Sequence, residues 1–308
     1  MANADPIMSR RSDRPLVEWP TLAVIAGCYS VWALAIFWLP SVSLTLAVVA
    51  AALAIALHSS ATHEVIHGHP FRNARLNMAL VYPALTILIP FHRFRDTHLA
   101  HHMDARLTDP YDDPESNFWD SEVWDRQTPA MKAVLRFNNT LFGRLLIGPA
   151  LGQVLWMRSD IAKIREGDTA IRDGWLWHIP AVAIALAVVA VSQMPLWAYA
   201  VAAYIGLAIL KIRTFLEHQA HEKARARTVI IEDRGPLAFL FLNNNLHAVH
   251  HMHPRVPWYR LPKLYRANPA RYLGANGGYR FRSYAQVFGR YFLTAKDPVP
   301  HPLWTRKD

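Results

Sequence analysis

Residues 62–69 read THEVIHGH. Within them, HEVIH sets His63 and His67 one helical turn apart with Glu64 between, the H-E-x-x-H pattern in which two imidazoles hold zinc and the glutamate serves as base. Just upstream, the run from about Ser43 to His58 is almost wholly apolar. Two questions follow. Does that run cross a membrane, and how many more imidazoles would a metal at His63 and His67 meet?

Composition answers the first. The chain has 308 residues, 52% of them hydrophobic, and no Lys or Arg lies between Arg14 and Arg72 or between Arg172 and Lys211. Such gaps around apolar runs are the mark of a membrane protein. The formal charge of +10 is spread along the flanks of the runs, with no compact basic block of the kind that binds nucleic acid. Cys28 is the single cysteine, so an internal disulfide and a Cys-rich metal site are both excluded. It sits inside an apolar run and reads as a small filler.

Four stretches have about the length of a bilayer span: residues 19–39, 43–58, 175–191 and 196–210. Pro40 to Ser43 and Ser192 to Pro195 make short links without positive charge, so each pair reads as a hairpin with its tip away from the cytoplasm. Arg10, Arg11 and Arg14 precede the first run, which is too long for a signal-peptide core and reads as a retained span. Met78 to Phe91 and Leu141 to Met157 contain prolines or arginine and read as interfacial or re-entrant segments. Residues 158–174 read as a polar connection. Trp175, Trp177, Trp197 and Tyr199 flank the second hairpin as interfacial anchors. The expectation is an all-α integral membrane protein: a cytoplasmic tail of residues 1–18, then one domain of residues 19–308. Its four transmembrane helices, in two hairpins, carry cytoplasmic histidine-rich helical lobes at 58–172 and 211–308. Both termini and the active site face the cytoplasm, across the plasma (inner) membrane if the chain is bacterial.

The second question turns on the other histidines, of which the chain has 16 in all. THLAHH supplies His98, His101 and His102, EHQAH supplies His218 and His221, and HAVHHMH supplies His247, His250, His251 and His253. Residues three and four apart share a helix face, so three helical stretches each present two or three imidazoles to one side. A zinc site needs only three or four ligands, and a zinc protease built on HEVIH leaves both H-x-x-H-H clusters without a role. A two-metal site uses all of them. Isolated His58, His92, His178 and His301 read as ordinary surface or core residues.

At these boxes the chain resembles the membrane fatty acid desaturase superfamily, which includes acyl hydroxylases and carotenoid hydroxylases and ketolases. HEVIH, HLAHH and HAVHH match its HxxxH, HxxHH and HxxHH pattern in order, with a hairpin between; RTFLEH and HPRVPWYRLPKLYR extend the likeness. The resemblance implies two irons held by His63, His67, His98, His101, His102, His247, His250 and His251. His218 stands where a ninth ligand is expected, with His221 as its competitor. It also implies O₂ as co-substrate and an O₂-dependent desaturation of a fatty acyl chain, by removal of hydrogen from an unactivated C–H bond. Hydroxylation or ketolation of an acyl chain, a carotenoid or another hydrophobic molecule is the alternative on the same scaffold. The heme-binding HPGG of an appended cytochrome b5 is not found, so electrons are expected from a separate ferredoxin or cytochrome b5.

Glu64 then reads as a residue that orients a ligand through its ring N–H, as do Glu217, Glu222 and Asp96; His69 and His253 are further candidates. The acidic loop RLTDPYDDPES, 106–116, reads as a solvated loop, a helix cap or a contact for a basic carrier. Arg255, Arg260, Lys263 and Arg266, beside Trp258, Tyr259 and Tyr265, suit a lobe on anionic headgroups, or docking of an acidic ferredoxin.

Overall fold

The computed structural model describes residues 16–305; Arg10, Arg11 and Arg14, and most of the expected N-terminal tail, lie outside them. Seven helices frame the site: α1 (Trp19–Phe37), α2 (Leu44–Ile66), α3 (Phe91–His101), α4 (Gly148–Arg165), α5 (Thr169–Ala190), α6 (Leu196–Thr214) and the short α7 (His247–Met252). The only strand pairing among the described residues is a two-residue parallel pair, Ile230–Ile231 with Arg280–Phe281.

Four segments are long and apolar enough to cross a membrane: Trp19–Val42, Leu44–Ile66, Thr169–Ala190 and Leu196–Thr214. All four run past an expected limit at one end. Apolarity marks where hydrocarbon would end, whereas a helix continues until its backbone is capped or broken. Thus α2 carries on from His58 to Ile66 and takes the first histidine box with it. In the same way α5 begins at Thr169, where the Asp168 side chain accepts from Ile171 N–H at 2.9 Å. The expected polar connection at 158–174 is therefore mostly helix, interrupted where Gly167 takes φ +102° to end α4.

The second span is the hub. It packs against both α1 and α6 through small side chains, Ala47, Ala51, Ala52 and Ala54 facing Cys28 and Ala35 on one side and Ala198, Ala202 and Ala203 on the other. Small residues let backbones approach closely, the usual solution where lipid offers no hydrophobic drive. Gly206 marks the tightest point: a Cβ there would stand 2.8 Å from Ile55 Cγ2 and 3.0 Å from the Ala52 carbonyl. Cys28 fills a buried gap and donates to Ala54 O at 3.1 Å. Gln193 N–H donates to Ile36 O (3.1 Å), which sets the two short links side by side.

Tyr199 is not an interfacial anchor. It is fully buried, its hydroxyl donating to Leu85 O at 2.9 Å and accepting from Trp32 Nε1 at 3.3 Å. Trp177 and Trp197 are exposed, while Trp175 turns inward and donates from Nε1 to Asp160 Oδ2 at 2.8 Å. The stretch after Val81 is irregular and tucked against the helices: Ala84 N–H donates to Ala181 O (3.1 Å), and His178 Nε2 lies 3.1 Å from Ile87 O. Irregular backbone at membrane depth needs such partners.

A buried ion pair fixes α3, which bears the second box. Arg93 donates from Nε and Nη2 to the two oxygens of Asp160, both at 2.8 Å. Removing one partner strands a charge in the interior. Asp160→Ala is expected to destabilise the protein by about 3–5 kcal/mol, whereas Asp96→Ala, breaking the exposed pair with Arg95, should cost less than about 1 kcal/mol. Thermal unfolding in detergent, followed by the loss of the monodisperse species, checks both.

Candidate metal centre

Each box rides on a helix end. His63 is in the last turn of α2 and His67 caps it; His98 and His101 close α3 with His102 as cap; His247, His250 and His251 lie on the short α7. That last helix is pinned in place by Ala248 N–H donating to Val229 O (2.9 Å) and by Val249, fully buried among Ile230, Leu261 and Leu264. His218 follows α6. It is held by a ladder-like stretch in which Gln219 N–H donates to Arg227 O (2.8 Å) and Val229 N–H to Glu217 O (3.1 Å).

The ring nitrogens gather into two sets: His63, His67, His98, His102 and His250 in one, and His101, His218, His247 and His251 in the other. Within each set one nitrogen per residue lies within 4.8 Å of all the rest. In the first, His98 Nε2 is 3.0 Å from the Nε2 atoms of both His67 and His102, and His250 Nε2 is 3.2 Å from that of His102. In the second, His218 Nε2 is 2.8 Å from His101 Nε2 and 3.2 Å from His247 Nε2. His102 and His251 stack at 4.3 Å between ring centroids, joining the sets.

These distances test the fit of a metal. Nitrogens bound at about 2.0–2.1 Å to one ion are separated by at most about 4.2 Å, close to what is seen. Hydrogen bonding alone does not account for the packing: His98 Nε2 has one lone pair or one proton, yet meets two other Nε2 atoms at 3.0 Å. His63 Nε2 is buried without a hydrogen-bond partner among the described residues. Each set can therefore hold a cation.

The far side of several rings is fixed by acceptors. His98 Nδ1 donates to Glu115 (3.1 Å), His101 Nδ1 to Asp113 (2.8 Å) and His247 Nδ1 to Asn244 Oδ1 (3.1 Å). In the neutral ring a donating Nδ1 leaves Nε2 as the lone-pair nitrogen aimed inward. Burial pushes His67, His102, His218, His247 and His250 below the usual imidazole value, and neighbouring rings add to it, so these rings stay neutral. For His101, burial works the same way, but Glu115 and the bond to Asp113 outweigh it and push the ring up to about 9. Burial alone would raise Glu115; His101 and His98 instead hold its carboxylate well below the ordinary range.

The acidic loop at 106–116 thus folds back on the second box and supplies two carboxylates. Asp113 is buried, accepts from Thr108 and Glu115 backbone N–H groups, and reaches His101. Neither Asp113 nor Glu115 stood out in the sequence. The carboxylates that did stand out are placed differently. Glu64 accepts from Trp258 N–H at 3.0 Å and lies 3.8 Å from His63 Nδ1, beyond hydrogen-bond length. Glu217 faces Arg213 Nε at 3.0 Å, accepts from Asn244 Nδ2 at 3.3 Å and is 3.9 Å from His247 Nδ1; burial raises its pKa. Asp96 and Glu222 are exposed. His69 Nδ1 donates to Glu18 at 2.7 Å and His253 Nε2 meets Tyr272 Oη at 3.2 Å, both outside the two sets. His221 is also outside them, its Nδ1 accepting from Lys223 N–H at 3.0 Å.

A cavity of ≈ 670 Å³ opens beside the second set, with His101 and His218 in its wall. Leu207 and Leu210 of α6 and Leu155 of α4 line its apolar part. The volume is in the range of small-molecule sites.

A comparison with protein-family models matches residues 36–283 to the family described as fatty acid desaturase, and the chain belongs to that family. The match begins in α1 and takes in all three histidine boxes and His218. No curated protein matches the chain.

If the two sets bind metal as their geometry allows, His218→Ala will lower bound metal per chain, whereas His221→Ala will leave it unchanged. Asp113→Ala, which frees the His101 ring, should weaken metal retention by about 10- to 100-fold. Metal analysis after dialysis against graded chelator reads all three.

Proposed function

We propose that the chain is an O₂-dependent di-iron enzyme that introduces a double bond into a fatty acyl chain within the membrane. The carrying observation is the meeting of two histidine sets at the ends of helices, two of which are apolar enough to span a bilayer. The family gives the reaction class: an oxidoreductase acting on acyl chains.

The two irons, when bound, supply reductive activation of O₂ and the power to take hydrogen from an unactivated C–H bond. His63, His67, His98, His102 and His250 would hold one, and His101, His218, His247 and His251 the other. All-imidazole ligation suits iron and leaves positions open. Asp113, Glu115 and Asn244 hold three rings in the tautomer that points Nε2 inward. Glu64 ties the end of α2 to the segment after the third box through Trp258 N–H, so it positions that segment rather than bonding to a ring of either set. The cavity wall of Leu207, Leu210 and Leu155 suits a hydrocarbon chain and keeps water from it.

The histidine end faces the cytoplasm in this reading. The links at 38–43 and 192–195 carry no Lys or Arg, whereas basic residues crowd the opposite ends of the spans. Electrons come from a separate carrier of ferredoxin or cytochrome b5 type. Exposed Arg255, Arg260, Lys263 and Arg266 next to the third box fit an acidic one.

Expression of the chain with a ferredoxin, its reductase and O₂, followed by mass spectrometry of the lipids, tests the reaction. The expected products have lost two hydrogens and disappear in His251→Ala. Products that gain oxygen instead assign hydroxylation, and an unchanged lipid profile with a competent donor refutes the proposal.

A further inference from the structure

Two enclosed cations in the wall of the ≈ 670 Å³ cavity have no carboxylate within ion-pair distance among the described residues. Lys211 lies in the last turn of α6, inside a segment apolar enough to span a membrane, and among the described residues its Nζ has neither hydrogen bond nor ion pair. An ammonium in such a place is costly unless it is paired or functional. Arg144 is buried, and its guanidinium donates to Asn138 O (2.9 Å), Asn139 Oδ1 (3.0 Å) and Asn117 Oδ1. Three neutral acceptors fix that group without cancelling its charge.

The other enclosed cations of the wall are matched. Arg93 pairs with Asp160 at 2.8 Å, Arg213 with Glu217 at 3.0 Å and Lys296 with Asp297 at 2.9 Å; Lys163 is exposed. Lys211 and Arg144 line the same cavity. Glu115 and Glu217 also act on Lys211, but from beyond ion-pair distance and while engaged with His98 and Arg213. A pocket that places two enclosed cations without an ion pair beside an apolar wall fits a ligand with one anionic end and one hydrocarbon end.

We propose that Lys211 and Arg144 form an anion subsite that seats the carboxylate or phosphate of an amphiphile whose hydrocarbon part lies against Leu207, Leu210 and Leu155. The inference rests on the cavity being the substrate site of the proposed oxidation. It adds a selection rule: uncharged lipids of the same chain length are poor ligands. Lys211 acts here as the residue that discriminates, because it is the only one of the two cations with nothing else to hold it.

The test is equilibrium binding to the full chain in nanodiscs of zwitterionic lipid, with palmitate, a monopalmitoyl phosphate and methyl palmitate as competing probes. One anion should bind about 10- to 100-fold more tightly than the ester, as expected for a hydrogen-bonded charge, and the tighter of the two identifies carboxylate or phosphate. Lys211→Met should abolish the preference and Lys211→Arg retain it, in preparations that match the wild type in metal content and elution. Equal affinity for all three probes, or a preference that survives Lys211→Met, overturns the subsite. Lipid oxidation by the same preparation is scored separately. Selective anion binding without any oxidised lipid would refute the reaction and leave the subsite standing; oxidation with no anion preference would do the reverse.

Discussion

Everything in this molecule answers to the crowding of imidazoles. His63, His98, His101, His247, His250 and His251 are buried, and their lone-pair nitrogens approach one another instead of approaching donors. Buried polar atoms so arranged are unfavourable on their own. The chain offsets this in two ways on the far side of the rings. Carboxylates and an amide hold Nδ1 protons, and tightly packed helices hold the Cα positions. A cation at the centre of each set would remove the remaining conflict. The same burial that makes the cluster awkward keeps most of its rings neutral, which is the state a metal needs.

The membrane-type packing and the site are one construction. Its first histidine box sits at the end of α2, whose alanine face is clasped between α1 and α6. Helix α6 in turn leads to His218 through Arg213 and Glu217. At Gly206 the two helices touch with no room for a methyl group, so the separation of His63 and His218 is set by backbone contact. The second box is anchored differently, by the Arg93–Asp160 pair between α3 and α4. Rigid elements position such ligands better than loops do. The third box, on a helix of six residues, relies on the surrounding core of Val249, Ile230 and Leu264 instead.

What the sequence revealed follows from the range of each interaction. Histidines one helical turn apart form a local pattern, so all three boxes and the four apolar spans were legible. Interactions closed by the fold were not. Asp113 and Glu115 reach the second box only because the loop doubles back, and nothing in an Asp- and Pro-rich stretch distinguishes that from a solvated turn. Tyr199 looked like an anchor because an aromatic residue at a span end has the same local pattern whether it faces headgroups or Trp32. His218 and His221 stood equal until the pairing of residues 217–219 with 227–229 turned one ring toward His101 and left the other beside Lys223. Residues 158–174 read as a connection because charge density resembles a loop, although α4 and α5 together run through most of it.

The cavity shows why a ligand-binding wall can look like an error in the charge pattern. Lys211 ends an apolar helix and, in sequence, resembles the flanking cation that any spanning segment has. In three dimensions it is set apart from the basic residues near it. Arg213 finds Glu217 and Lys296 finds Asp297, while Lys211 faces open space shared with His101 and His218. A residue that only marked the membrane boundary would extend its ammonium to water along its own aliphatic stem. One that lines a partly apolar pocket, away from any ion pair, retains part of its desolvation cost until a counter-charge arrives. The placement of that cost beside the second histidine set would tie recognition of a ligand's polar end to the site of the proposed oxidation.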